Sequence, residues 1–437
     1  MASDPSPSSS PAAGPPRSAL LVIFLTVFID LLGFGIVLPV MPRQAEPYLA
    51  ALELSPLAGG IVIGLLFSVF SLMQFLFSPV WGRLSDRVGR RPMLILSLVG
   101  SVVFYALYGY AVTLPPERAR LALGLMMLAR IGAGIAGASV GTAAAVIADC
   151  TTPENRARGM ALIGIAFGAG FTLGPLIAYF GLALFARQPW GVGALASLLS
   201  FVALLIAVTV FRETRRPDSR AAKEFFSLSR TAGVLALPAV GALVLIYFLS
   251  IFAFANFEAT LARFTKEGFG MSDDGNFLLF AGIGAVLMVA GGLYRPLAKR
   301  LSETRLLGTG LVVLVVGMAA IGVDAWLVHR DIVAGQAVSA PLRWLFYAAS
   351  AAAVAGFAFV NPSVSALISK HADPARQGEV LGVNQSFASL GRILGPFAGS
   401  LLFTLHPSRT LPYAVAVATL LVVAMLLPRA AAGSSRP

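Results

Sequence analysis

The sequence predicts an all-α membrane protein, with twelve transmembrane helices in two pseudo-symmetric bundles of six. Three observations lead there. Of the 437 residues, 57% are hydrophobic and 12% are charged, about half the charged fraction of a typical soluble domain, and the mean hydropathy is +0.84. Apolar runs of about 20 residues, the length that crosses a hydrocarbon core, recur between polar breaks along the whole chain. The third is a weak repeat. Thr152-Pro153-Glu154 precedes Gly170-x-x-x-Gly174-Pro175, and Asp373-Pro374-Ala375 precedes Gly391-x-x-x-Gly395-Pro396. Pro153 to Pro374 and Gly174 to Gly395 are the same 221 residues apart.

Taken in order, residues 1–18 are rich in Ser and Pro, hold no apolar run and read as a disordered cytoplasmic tail. Span one, near 19–41, runs on into Pro39 and Pro42 without a small-residue cleavage pattern, so it reads as a span and not as a removed leader. Spans two and three, near 57–80 and 92–113, flank the charge-dense segment Gly82-Arg83-Leu84-Ser85-Asp86-Arg87-Val88-Gly89-Arg90-Arg91, which is costly near lipid and belongs in water as a loop. Span four, near 120–147, carries Gly132, Gly134, Gly137 and Gly141 among alanines, giving small faces at i, i+4 that let helices approach closely. Span five, near 159–185, has the same spacing at Gly164/Gly168 and Gly170/Gly174, and Pro175 removes an intrahelical hydrogen bond. Span six, near 190–211, completes a first bundle over 19–211. A basic linker, 212–234, leads to a second bundle over 235–428, with spans near 235–261, 275–297, 306–327, 342–369, 377–404 and 410–428, and a tail at 429–437.

Basic residues set the orientation. With the N-terminal side as "in", inside segments hold 21 Lys and Arg and outside segments, Arg43 among them, hold nine. That asymmetry places both termini in the cytoplasm of a multi-pass inner-membrane protein. The net charge of +12 is largely this signal. It points to an anionic leaflet and not to nucleic acid, since no soluble basic domain is present. The single Cys150 excludes an intramolecular disulfide and a multi-cysteine metal site, and three scattered histidines form no ligand cluster. No nucleotide loop or nucleophile constellation suggests an enzyme, and no cofactor is implied.

Two charges fall deep inside spans. Asp30, in Phe28-Ile29-Asp30-Leu31, lies about ten residues from the inner face and therefore about 15 Å deep. A carboxylate there must face water, meet a cation or hold a proton. It is either a proton-coupling group or a hydrogen-bonding anchor for its helix. Arg130 is predicted at a similar depth. It either tunes a nearby carboxyl electrostatically or is satisfied by backbone carbonyls. Glu258 is either a second protonation or substrate site or a snorkelling partner of Arg263. Arg392 is either a cavity charge or the partner of an acid such as Glu258. Phe34, Gln74, Asn256, Asn361, Asn384 and Gln385 are cavity candidates, and each neutral amide can equally act as helix–helix glue.

The charged segment fits Gly-x-Leu-x-Asp-Arg-x-Gly-Arg-Arg at every fixed position and so resembles the signature loop of the major facilitator superfamily. Arg130-x-x-x-Gly134 resembles that family's fourth-helix motif, linked to proton transfer. Gly170-x-x-x-Gly174-Pro175 resembles its fifth-helix antiporter motif, with Ala178-Tyr179 where the family has Gly-Gly. Asp30-x-x-Gly33-x-Gly35-x-x-x-Pro39-x-x-Pro42 and Phe254-Ala255-Asn256-Phe257-Glu258 look like the tetracycline–proton antiporter branch of the twelve-helix drug exporters, although span three lacks the acid found there. The resemblance covers roughly 19–428 and implies the major facilitator fold. By it, Asp86 pairs with the opposite half when the inner side closes, and Asp149 and Arg156 join the charge network of the loop that holds Arg83, Arg87, Arg90 and Arg91 around Gly82 and Gly89. In the second half Lys299 stands where the first has Asp86.

Two bundles rocking about a midplane site is an alternating-access design. The expectation is a monomeric, proton-driven exporter of an amphipathic small molecule. The alternative is a proton symporter or facilitator for a metabolite, sugar or lipid. A membrane scaffold is disfavoured by the cost of Asp30, Arg130 and Arg392 in lipid.

Overall fold

The computed structural model describes residues 17–151, 153–214, 228–373 and 377–431. Most of the tails, the middle of the linker, Thr152 and Pro374-Ala375 of the repeat, and the side chains of Asp30, Phe34 and Arg156 lie outside the described residues. Among those described there is no strand, and the helices are α1 (Arg17–Val37), α2 (Met41–Ala51), α3 (Pro56–Val88), α4 (Arg90–Ala111), α5 (Ala119–Ala136), α6 (Val140–Cys150), α7 (Pro153–Gly181), α8 (Gly191–Val210), α9 (Leu228–Leu235), α10 (Pro238–Phe269), α11 (Asp273–Ala298), α12 (Glu303–Val333), α13 (Ala340–His371), α14 (Gln377–Leu405) and α15 (Leu411–Ala431). Eleven segments are long and apolar enough to cross a membrane, and α1 with α2, bent by 44°, makes a twelfth.

Several helix starts are written in the sequence. Ser55 Oγ accepts from Ala58 N at 3.2 Å with Pro56 in the first turn. Ser272 Oγ caps α11 by accepting from Gly275 N at 3.2 Å, with Asp273 and Asp274 in its first turn. Ser302 Oγ does the same for α12 through Arg305 N at 3.4 Å.

Three differences from the sequence reading bear on the site. Span one does not end at 41. It breaks at Leu38–Val40 around Pro39 and resumes as α2, because proline has no N–H to continue the ladder. Span four is interrupted by a 3₁₀ turn at Gly137–Ser139. The largest correction concerns the charged segment. It is helical through Val88, and the loop reduces to Gly89. Gly89 has φ +115°, and a Cβ there would stand 2.5 Å from Glu213 Oε2, so only glycine fits.

Helix α1 packs on α7 and α8, α4 on α5 and α8, and α3 on α5. In the second half α10 packs on α13, α14 and α15, and α12 on α13 and α15. Two seams join the halves, α3 on α14 and α7 on α11. The repeat reappears in three dimensions. A Cβ on Gly174 would stand 3.0 Å from Gly35 Cα, and one on Gly395 would stand 2.7 Å from Phe252 O and 3.2 Å from Asn256 N. Gly35 and Asn256 are again 221 residues apart. Pro175 and Pro396 each lie inside a helix that continues through them.

These contacts make a graded prediction. Gly174→Val and Gly395→Val force backbones apart and destabilise by about 1–3 kcal/mol each. Gly292→Val, where an added Cβ meets nothing within 4 Å, leaves stability unchanged. Thermal unfolding of the detergent-purified variants checks the ranking.

Candidate functional site

At one end of the molecule the two halves are bolted together by a buried arginine. Arg43, on α2, is 5% exposed. Its Nε donates to Ala262 O at 2.9 Å, its Nη1 to Met271 O and Asp273 Oδ1 at 2.9 Å each, and its Nη2 to Thr265 Oγ1 at 3.1 Å. Every acceptor belongs to the other half. Asn276 Nδ2 donates to Pro39 O at 2.7 Å, and Lys266–Glu46 and Arg187–Asp274 form ion pairs beside it. Deeper along the seams, Ser68 Oγ donates to Ile393 O at 2.6 Å and Gly284 lies against Thr172. Nothing local in the chain signals this. Arg43 counts there as one of nine outside basic residues, and its partners are 219 or more residues away.

The end that holds the signature segment differs. Asp86 meets Arg90 at 2.6 Å and Asp149 meets Arg90 at 3.1 Å. Arg90 Nη1 donates to Ser85 Oγ at 2.6 Å. Glu213 accepts from the Arg90 and Arg91 backbone N–H groups at 2.9 and 3.0 Å, capping α4 with an anion. Arg91 Nη2 donates to Val208 O at 2.7 Å. Arg83 and Arg87 are exposed. Every one of these contacts stays within the first half, so in this state Asp86 has Arg90 and not the opposite half as its partner. Among the described residues, cross-half hydrogen bonds lie only from mid-depth to the Arg43 end.

Inside the first half, Arg130 is 2% exposed. Its Nε donates to Leu66 O at 3.0 Å and its guanidinium lies 4.6 Å over the Phe70 ring. Gly134, in the same motif, permits that approach, since a Cβ would stand 2.5 Å from Phe70 O. Asp30 lies on α1, one turn before Gly33, whose missing Cβ makes room for the Tyr105 ring. Val37, seven residues past Asp30, borders a small gap with Arg130, Tyr105 and Tyr108.

In the second half, Glu258 is half-buried and meets neither proposed partner. Arg263 pairs with Glu267 at 3.6 Å and lies 4.5 Å over Phe403. Arg392 donates to Ser389 Oγ at 3.2 Å. Two amides act between helices: Gln74 Nε2 donates to Gly137 O at 2.9 Å, and the fully buried Asn256 donates through Nδ2 to Pro412 O at 3.1 Å. Asn384 is buried, Asn361 half-buried and Gln385 exposed. Asp324 escaped the sequence reading. It has zero exposure and neither carboxyl oxygen has a hydrogen-bond partner. Three residues from the expected end of span nine it reads as interfacial, but α12 continues to Val333 and draws it inward.

Apolar helices in two joined halves, sealed together at one end, with charges held inside, define a polytopic membrane transporter. Comparison with known proteins agrees. The family model for the Major Facilitator Superfamily matches residues 23–334 and 293–437, and the chain belongs to that family. It is 28% identical over 449 residues to major facilitator superfamily domain-containing protein 10 of Mus musculus, covering 92% of this chain and 90% of that one. It is also 28% identical over 396 residues to the class D tetracycline resistance protein of Salmonella ordonez, covering 89% and 90%. The crystal structure of the human organic anion transporter MFSD10 (TETRAN) aligns with a TM-score of 0.62 at 26% identity, over 94% of this chain and 100% of that one.

Arg43→Ala removes several charge-assisted bonds of about 1.5–3 kcal/mol each and shifts the population toward separation at this end. Spin labels at the exposed Glu117 and Gln336, in a Cys150→Ser background, should show a longer distance in the variant than in the parent.

Proposed function

We propose that this transporter exports an amphipathic small molecule in exchange for protons, by alternating access, as a monomer in the inner membrane with both termini cytoplasmic. The observation that carries the reading is the one-ended closure built on Arg43. By the asymmetry of basic residues that end faces outward. At the cytoplasmic end the cluster around Arg90 is satisfied within the first half, so this state suits loading from the cytoplasm. Release outside then requires the Arg43 contacts to part and the opposite end to close, with Asp86 exchanging Arg90 for a partner on the second half.

Protons supply the energy in this scheme. Asp30 and Glu258 are the carriers, because a carboxylate at such depth must meet water, a cation or a proton. Arg130 tunes the first-half carrier. Relatives named for tetracycline resistance and for organic anion transport support an amphipathic substrate.

The test is proton flux into proteoliposomes holding a pH-sensitive dye, with lipophilic cations, lipophilic anions, tetracyclines and neutral drugs offered in turn. Substrate-evoked flux is expected, with at least about a tenfold loss in Asp30→Asn and a smaller loss in Glu258→Gln. Labelled substrate that equilibrates without proton movement overturns exchange and leaves a facilitator.

A further inference from the structure

Arg392 has a position that sets it apart from the other interior charges. Gln385, Ser389 and Arg392 share one face of α14 at i, i+4 and i+7, and Gln385 on it is exposed. Leu394, two residues on and so about 200° around the helix, is 45% exposed where lipid lies. Arg392 therefore faces the interior. Ile393, the next residue, accepts the Ser68 hydroxyl across the seam at 2.6 Å. Arg392 thus stands beside the seam between the two halves.

Its hydrogen bonding is incomplete. A guanidinium offers five N–H donors. One nitrogen, Nη2, reaches Ser389 Oγ at 3.2 Å. No carboxylate pairs with it among the described residues, and its other nitrogens are neither bonded nor sealed from the interior. Tyr247 of α10 is within electrostatic reach. A half-buried cation with spare donors, facing the interior at mid-membrane, is costly unless an anion visits it. The planar fork fits a carboxylate or sulfonate through two parallel bonds.

We propose that Arg392 is the anion-binding residue of the substrate site, and that the transported molecule carries a carboxylate or an equivalent oxyanion on an apolar body. This deepens the transport reading and rests on it, but it does not depend on proton coupling.

Equilibrium dialysis on the full chain in detergent, with no gradient, separates the two. The probes are radiolabelled 1-naphthaleneacetate, uncharged 1-naphthaleneacetamide and cationic 1-naphthylmethylammonium. Wild-type protein should bind the carboxylate saturably and at least about tenfold more tightly than the amide, the scale of one charge-assisted hydrogen bond. Arg392→Gln should erase that preference and leave amide binding intact. Arg392→Lys, which keeps the charge without the fork, should retain part of it and serves as the test should the glutamine variant not fold. A folded Arg392→Gln protein that still prefers the carboxylate, an Arg392→Lys protein equal to wild type, a preference for the cation, or no saturable carboxylate binding each overturns the proposal. Carboxylate binding through Arg392 without substrate-evoked proton flux leaves this site standing and removes the exchange reading instead.

Discussion

A charge taken into a sealed protein seam can be satisfied only by the groups that surround it, and Arg43 shows how much of the architecture follows. Its guanidinium is placed where α10 ends and α11 begins. Met271 O lies just beyond the C-terminus of α10, and Asp273 opens the first turn of α11. The end of a helix presents free carbonyls and negative partial charge, so the turn between these two helices is a ready receptor for a cation. Because Arg43 sits on α2, the 44° break that creates α2 is what delivers the cation there. A straight first helix would carry it elsewhere.

The seams beneath that cation work by the opposite principle. Gly60 against Ser400, Gly64 against Phe397, and Gly284 against Thr172 bring backbones together across the seams with little side chain between them. Such surfaces pack tightly through dispersion and small-residue contact, without the directional bonds that fix one register. Directional bonds are concentrated from mid-depth to the Arg43 end, at Arg43, Asn276 and Ser68. A molecule built this way can keep its helix contacts while exchanging one set of polar contacts for another, as alternation of access requires.

The signature segment has a different mechanical character. Arg90 gathers Asp86, Asp149 and Ser85, while Glu213 binds the start of α4 and fills the space that a Cβ on Gly89 would take. The acid, arginine and glycine of the pattern are thus parts of one cluster. Lys299 in the second half is exposed and builds no equivalent. The two halves share helix packing and differ in their charged corners.

The amino-acid sequence by itself determined the all-α membrane class, the number of spans, the small-residue faces and the family. Those signals are local and cumulative. An apolar run declares itself over about 20 residues. Arg130 and Arg392 were legible as charges within spans on the same grounds. Partnership was not. Arg392 read as a cavity charge or the partner of an acid such as Glu258, and it bonds Ser389 on its own helix. Asp324 went unread near a predicted span end, although α12 runs on past it; Glu213 read as linker and caps α4; and Arg43 read as one more topology charge. Which ions meet depends on which helices are neighbours, how far each continues and where one bends. Those are properties of contacts hundreds of residues apart in the chain, so only the tertiary structure decided them.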